Sequence, residues 1–84
     1  MNKQLQAIYL EIVDNQLRSN EPPETGKTLK RLRSLGYSVR EAKLLIASAV
    51  AVETFHMLKK DELYNQDRFK RNLDILPDQS FEEE

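Results

Sequence analysis

Glu53 and His56 are the residues of this chain whose types and spacing could do chemistry. Residues three apart share one helix face, and di-iron bundle proteins present metal ligands as such Glu-x-x-His pairs. A complete site of that kind takes a second pair and further glutamates from facing helices. His56 is the only histidine in 84 residues, so a second pair cannot be built. The plainer reading has Glu53 bonded to His56 or to an arginine of the chain's second helix. Glu53 and His56 therefore stand as weak metal-site candidates, and no cofactor is expected.

Other reaction chemistry finds less support. The chain has no cysteine, and a nucleophilic serine would have to be Ser34, Ser38 or Ser48 beside His56. Ser48 lies two turns from His56, about 12 Å along a helix axis, beyond hydrogen-bond reach. With Gly26 and Gly36 as its only glycines, the chain cannot form a glycine-rich phosphate loop. The reading leans away from an enzyme.

The elements that must position these residues are all helical. Leu5, Ile8, Tyr9, Ile12, Val13 and Leu17 follow the i, i+3, i+4 spacing of one helix face, and no period-2 pattern competes. Gln16 projects from that apolar stripe and must find a hydrogen-bond partner, while Glu11 and Asp14 point toward solvent. Asn20-Glu21-Pro22-Pro23 stops the helix, and the prolines suit the first turn of a second one. There Thr25, Thr28, Leu29, Leu32 and Leu35 share a face, and Gly36 sits where a left-handed residue ends the helix. Gly26 lowers helix propensity, which suggests another helix crossing close by.

Ser38-Val39-Arg40-Glu41 has the form of a capping box. The helix it opens runs to about Lys60 and is apolar nearly all round, from Val39 and Ala42 through Leu44, Ile46 and Val50 to Phe55 and Leu58. Such a helix must be surrounded, by the other helices or by another copy of itself. Asn65 caps a short final helix marked by Phe69, Leu73 and Leu76, with Tyr64 and Phe69 placed for a hydrophobic staple and Arg68, Lys70 and Arg71 outside the stripe. The expected fold is an all-α, small four-helix bundle with a central apolar helix and a short C-terminal helix. Residues 1–76 form the single helical domain, and 77–84 form an acidic tail too polar to order itself.

Polar residues in the first turn argue against a signal peptide, the absence of cysteine fits a reducing compartment, and no apolar run is long enough for a bilayer. A cytoplasmic protein is expected, with no membrane partner. Net charge is −1, unevenly spread. Between Thr25 and Lys43, Lys27, Lys30, Arg31, Arg33, Arg40 and Lys43 face Glu41 alone, whereas Asp74, Asp78, Glu82, Glu83 and Glu84 make the C-terminal end acidic.

The stretch from Leu29 to Ala42 has the outline of a helix-turn-helix and is similar to a segment of MerR-type regulators. A recognition helix, however, needs polar and basic residues on its outer face. The helix after this turn offers alanine, leucine and valine.

Asp14-Asn15-Gln16-Leu17, Glu21-Pro22-Pro23-Glu24, Thr28-Leu29-Lys30-Arg31-Leu32, Gly36-Tyr37, Glu41-Ala42 and Leu73-Asp74-Ile75-Leu76-Pro77 occur in this order over nearly the whole chain. Together they resemble a family of short uncharacterised bacterial all-helical proteins. The family pattern flanks its E-A pair with histidines, whereas Arg40 and Leu44 stand at those places here. No role of those histidines carries over. The resemblance implies a helical fold and a bacterial origin, but no activity.

The function expected from the sequence is a small non-enzymatic protein-interaction module. A homodimer or protein partner would cover the surplus apolar surface that so small a domain struggles to bury. Lys27, Lys30, Arg31 and Arg33, with the Tyr37 turn, are the expected partner-binding residues. One alternative is a nucleic-acid binder using the basic strip Lys27–Lys43, and another is a metal or small-ligand site at Glu53 and His56.

Overall fold

The computed structural model describes residues 2–82. Four helices account for its regular structure: α1 (Lys3–Ser19), α2 (Pro23–Ser34), α3 (Val39–Lys60) and α4 (Gln66–Ile75). The expected all-α four-helix bundle is the fold observed. No described helix is long and apolar enough to cross a membrane.

Local signals set the helix ends. The Asn2 side chain accepts the Leu5 N–H, and the Asn65 side chain accepts the Arg68 N–H. At α3 both halves of the capping box form: Ser38 Oγ accepts from Glu41 N at 3.0 Å, and Glu41 Oε1 accepts from Ser38 N at 2.8 Å. Two orphan donors are thereby satisfied. α2 ends with Gly36 at φ +103°. Tyr37 N–H bonds to Leu32 O at 3.2 Å and Gly36 N–H to Arg33 O at 3.0 Å, the paired bonds of a Schellman motif. Only glycine takes that left-handed turn without strain. Tyr64 and Phe69 meet as expected, with ring centroids 5.8 Å apart.

The connections are short, so successive helices reverse direction. One end of the bundle gathers Gln16, Pro23, Tyr64 and Gln66; the other gathers Leu35, Gly36, Tyr37, Glu41 and Pro77. α2 and α3 each pack against every other helix, whereas α1 and α4 do not meet. The core is Val13 of α1, Leu32 of α2, Ala42, Ile46, Ala47, Ala49 and Val50 of α3, Phe69 and Leu73 of α4, and Leu76. Gln16 finds its partner across the first turn, where Thr25 Oγ1 donates to its Oε1 at 2.8 Å. Asp14 is half-buried rather than free in solvent, because Lys43 of α3 pairs with it at 2.8 Å.

Three further expectations need correction. No helix crosses at Gly26: a Cβ built there meets Asn20 Oδ1 at 3.9 Å, ordinary van der Waals contact. Gly26→Ala is therefore expected to raise stability by about 0.5–1 kcal/mol, since alanine loses less backbone entropy in a helix; urea unfolding checks this, and a destabilised variant would refute it. The other helices alone do not cover α3 all round, as described below. The tail, judged by polarity, was expected to stay unordered, yet residues 77–82 lie against the bundle. Phe81 packs on the core, Arg71 holds Glu82 with bonds of 2.8 and 2.9 Å, and Asn72 exchanges hydrogen bonds with the Glu82 backbone. Glu83 and Glu84 lie outside the described residues.

Candidate functional site

Glu53 falls on the core face of α3, with Ala42, Ile46, Ala49 and Val50. A carboxylate placed there must be paired or it costs several kcal/mol. Its partner is Arg68 of α4, not His56 and not an arginine of α2. Arg68 Nε donates to Glu53 Oε1 and Nη2 to Oε2, both at 2.8 Å, and Asn65 N–H donates to Oε2 at 2.9 Å. Both side chains are nearly sealed, at 3% exposure for Glu53 and 4% for Arg68. Burial pushes the Glu53 carboxyl up, but the Arg68 bond, the Asn65 N–H and the guanidinium charge outweigh it and leave it below the ordinary range. The same bond raises Arg68.

Arg68 was expected outside the apolar stripe of α4; it is buried against Glu53. The sequence did hold a signal. A lone acid on the buried face of an apolar helix demands a cation, and Arg68 sits beside the staple residue that docks α4 onto α3.

His56 is buried next to this pair, with Nε2 3.5 Å from Glu62 Oε2, and Arg68 Nη1 lies 3.7 Å from the same oxygen. Burial pushes the nearby Tyr64 phenol up to about 12, with the Glu53 and Glu24 charges adding to the effect. The arrangement is poorly suited to a metal, because both Glu53 oxygens are occupied by donors and a guanidinium fills the place a cation would take. Among the described residues no group of three or more His, Asp or Glu side chains could hold a metal ion. The cluster fastens α4 to α3.

The basic strip is partly engaged inside the fold. Arg31 reaches across to α4, where Nη1 donates to Leu76 O at 2.6 Å and Nη2 to Leu73 O at 2.9 Å. It gives Leu76 O a donor and adds a second to Leu73 O, which also accepts the Leu76 N–H at 3.2 Å, and its charge complements the negative end of the helix dipole. Arg33 bonds to Tyr37 O at 3.0 Å, and Lys43 is the partner of Asp14. Lys27 and Lys30 are exposed on α2.

No family model, curated protein or solved structure matches this chain. The functional reading therefore rests on the molecule's own surfaces.

The most unusual of these is the outward face of α3, opposite the buried Glu53. At 100° per residue, Glu41, Leu44, Ser48, Ala51, Phe55, Leu58 and Lys59 share it. Leu44, Ser48 and Ala51 are half-buried, while Phe55 is 62% and Leu58 80% exposed. The other three helices cover one side of α3 and leave this side open. At its N-terminal end the face opens into a groove of about 430 Å³ lined by Gln6, Tyr37, Glu41, Leu44, Leu45, Ser48 and Gln79. Gln79 of the tail walls it, donating to Ser48 Oγ at 2.9 Å. Tyr37, expected as a partner residue, belongs to this groove. The sequence pointed to surplus apolar surface on this helix but not to the side that stays bare, because its residues looked like core all round.

Proposed function

We propose that the chain is a non-enzymatic protein-interaction module whose working surface is the outward face of α3. One observation carries this reading: an apolar helix at the centre of the fold keeps Phe55 and Leu58 in water. Scattered apolar residues on a surface are ordinary, but an aligned stripe ending in an apolar groove marks a contact site. The Glu53–Arg68–His56 cluster supports the fold behind this face, since it is sealed and internally bonded. The exposed amines of Lys27 and Lys30 lie on α2, outside that face.

A surface kept for a partner is dispensable for folding. Phe55→Gln and Leu58→Gln are expected to leave the unfolding free energy of dilute protein within about 0.5 kcal/mol of the original. Denaturant titration at low protein concentration measures this directly. A loss of about 2 kcal/mol or more would show that the fold itself uses these side chains, and the reading would fall.

A further inference from the structure

The α3 face carries both a projection and a recess. Phe55 projects, and the groove at Leu44, Leu45 and Tyr37 recedes. Leu44 and Phe55 are eleven residues apart, about three turns, so they lie on one line with about 16.5 Å between them. A half-turn about an axis perpendicular to α3, midway between the two positions, exchanges them. Resting on the reading of this face as an interaction surface, we infer that its partner is a second copy of this chain. The two α3 helices run antiparallel about a two-fold axis, and Phe55 of each copy occupies the other's groove.

Three features fit this occupant. Of the residues nearest the axis, Ala51 is small enough to let two helix backbones approach closely, and Ser48 carries only the flexible Gln79 amide, which turns aside when the faces meet. Glu41 and Lys59 lie on the same face at nearly equal distances from that axis. The half-turn therefore brings Glu41 of one copy to Lys59 of the other, at both ends of the contact. Parallel pairing would set Glu41 on Glu41 and Lys59 on Lys59, and would leave both grooves empty. Finally, Lys59 Nζ lies 5.6 Å from the centre of the Phe55 ring. A Phe55 ring entering the partner's groove thus carries its own ammonium to the Glu41 carboxylate on the rim. Glu41 commits Oε1 to its capping box, which leaves Oε2 for a second donor. Each copy gives and receives the same contacts, the requirement of a closed two-fold interface.

The test combines solution mass with one distance. Light scattering on a sizing column is expected to give a dimer that dissociates on dilution. Because the chain has no cysteine, Arg40→Cys takes a single spin label at an exposed position on the N-terminal edge of the α3 face, and light scattering of the labelled protein checks that it still pairs. Antiparallel helices place the two labelled backbones about 30 Å apart along the axis, whereas parallel ones place them about 10 Å apart. Phe55→Glu is expected to raise the dissociation constant about 30-fold or more, as loss of an aromatic anchor seated in a pocket does. Lys59→Glu, an exposed change that spares the groove, should raise it about 3-fold to 10-fold. Circular dichroism confirms that both variants are folded.

A protein that stays monomeric at its highest soluble concentration would overturn the pairing, as would a short Arg40 distance or a dimer indifferent to Phe55→Glu. None of these outcomes touches the interaction-surface reading, which stands or falls on the stability of Phe55→Gln and Leu58→Gln.

Discussion

Arg68→Met is expected to destabilise the protein by about 3–5 kcal/mol, the cost of leaving a buried carboxylate without its partner. Glu53 then keeps the Asn65 N–H and loses the two guanidinium bonds that offset its burial. A domain of this size has only about 5–15 kcal/mol of total stability, so the variant should be close to unfolding at room temperature. Glu53→Leu combined with Arg68→Met removes both charges, and most of the lost stability should return. Urea titration of the two variants measures the contrast. A single variant that loses less than about 1 kcal/mol would show that the pair is not sealed as described.

Acid tests the same pair by another route. The folded carboxyl of Glu53 sits below its ordinary value, so the folded chain holds this charge to lower pH than the unfolded chain does. Its contribution is present above the ordinary glutamate range and is lost as pH falls toward the lowered folded value. In Arg68→Met burial acts with little opposition and the sign reverses: the folded carboxyl holds its proton longer than the unfolded one. Stability of that variant should then fall as pH rises through the glutamate range. Unfolding curves across the acid range distinguish the two slopes, and matching slopes would contradict the assignment.

Phe69→Ala should be nearly as costly, at about 3–5 kcal/mol for truncating a buried aromatic. Phe69 is among the largest fully buried side chains and also the staple partner of Tyr64. α4 has 10 residues, too few to hold a helix by itself. Its place in the bundle depends on Phe69, Leu73 and Leu76 and on the carbonyls that Arg31 caps. Thermal unfolding is expected to drop by at least about 12 °C. A drop of less than about 4 °C would mean that α4 docks without this ring. Because Phe69 and Arg68 hold the same helix, their substitutions should not add.

These sites differ in how far the sequence reveals them. Helix ends were legible because each is written within about five residues: Asn2, the Ser38–Glu41 box, Gly36, and Asn65 with its Tyr64–Phe69 staple act on backbone groups of their own turn. The one fully apolar helix was legible too, from its composition. The sequence likewise showed that Gln16 and Glu53, polar groups on apolar faces, would need partners.

Which partners they found was a matter of packing. Arg68 lies 15 residues from Glu53, and Arg31 lies 45 from the Leu76 carbonyl it caps. No short-range pattern selects such pairs; they follow from α4 descending between α2 and α3. A long cation also hides its destination, since its charge predicts water while its stem and hydrogen bonds suit a sealed carboxylate. The same holds for α3. Residue types showed that it is apolar on every side, but only the arrangement of α1, α2 and α4 around it decided which side stays bare. Periodicity states how apolar a face is, whereas coverage depends on how many neighbours the chain has left to place against it.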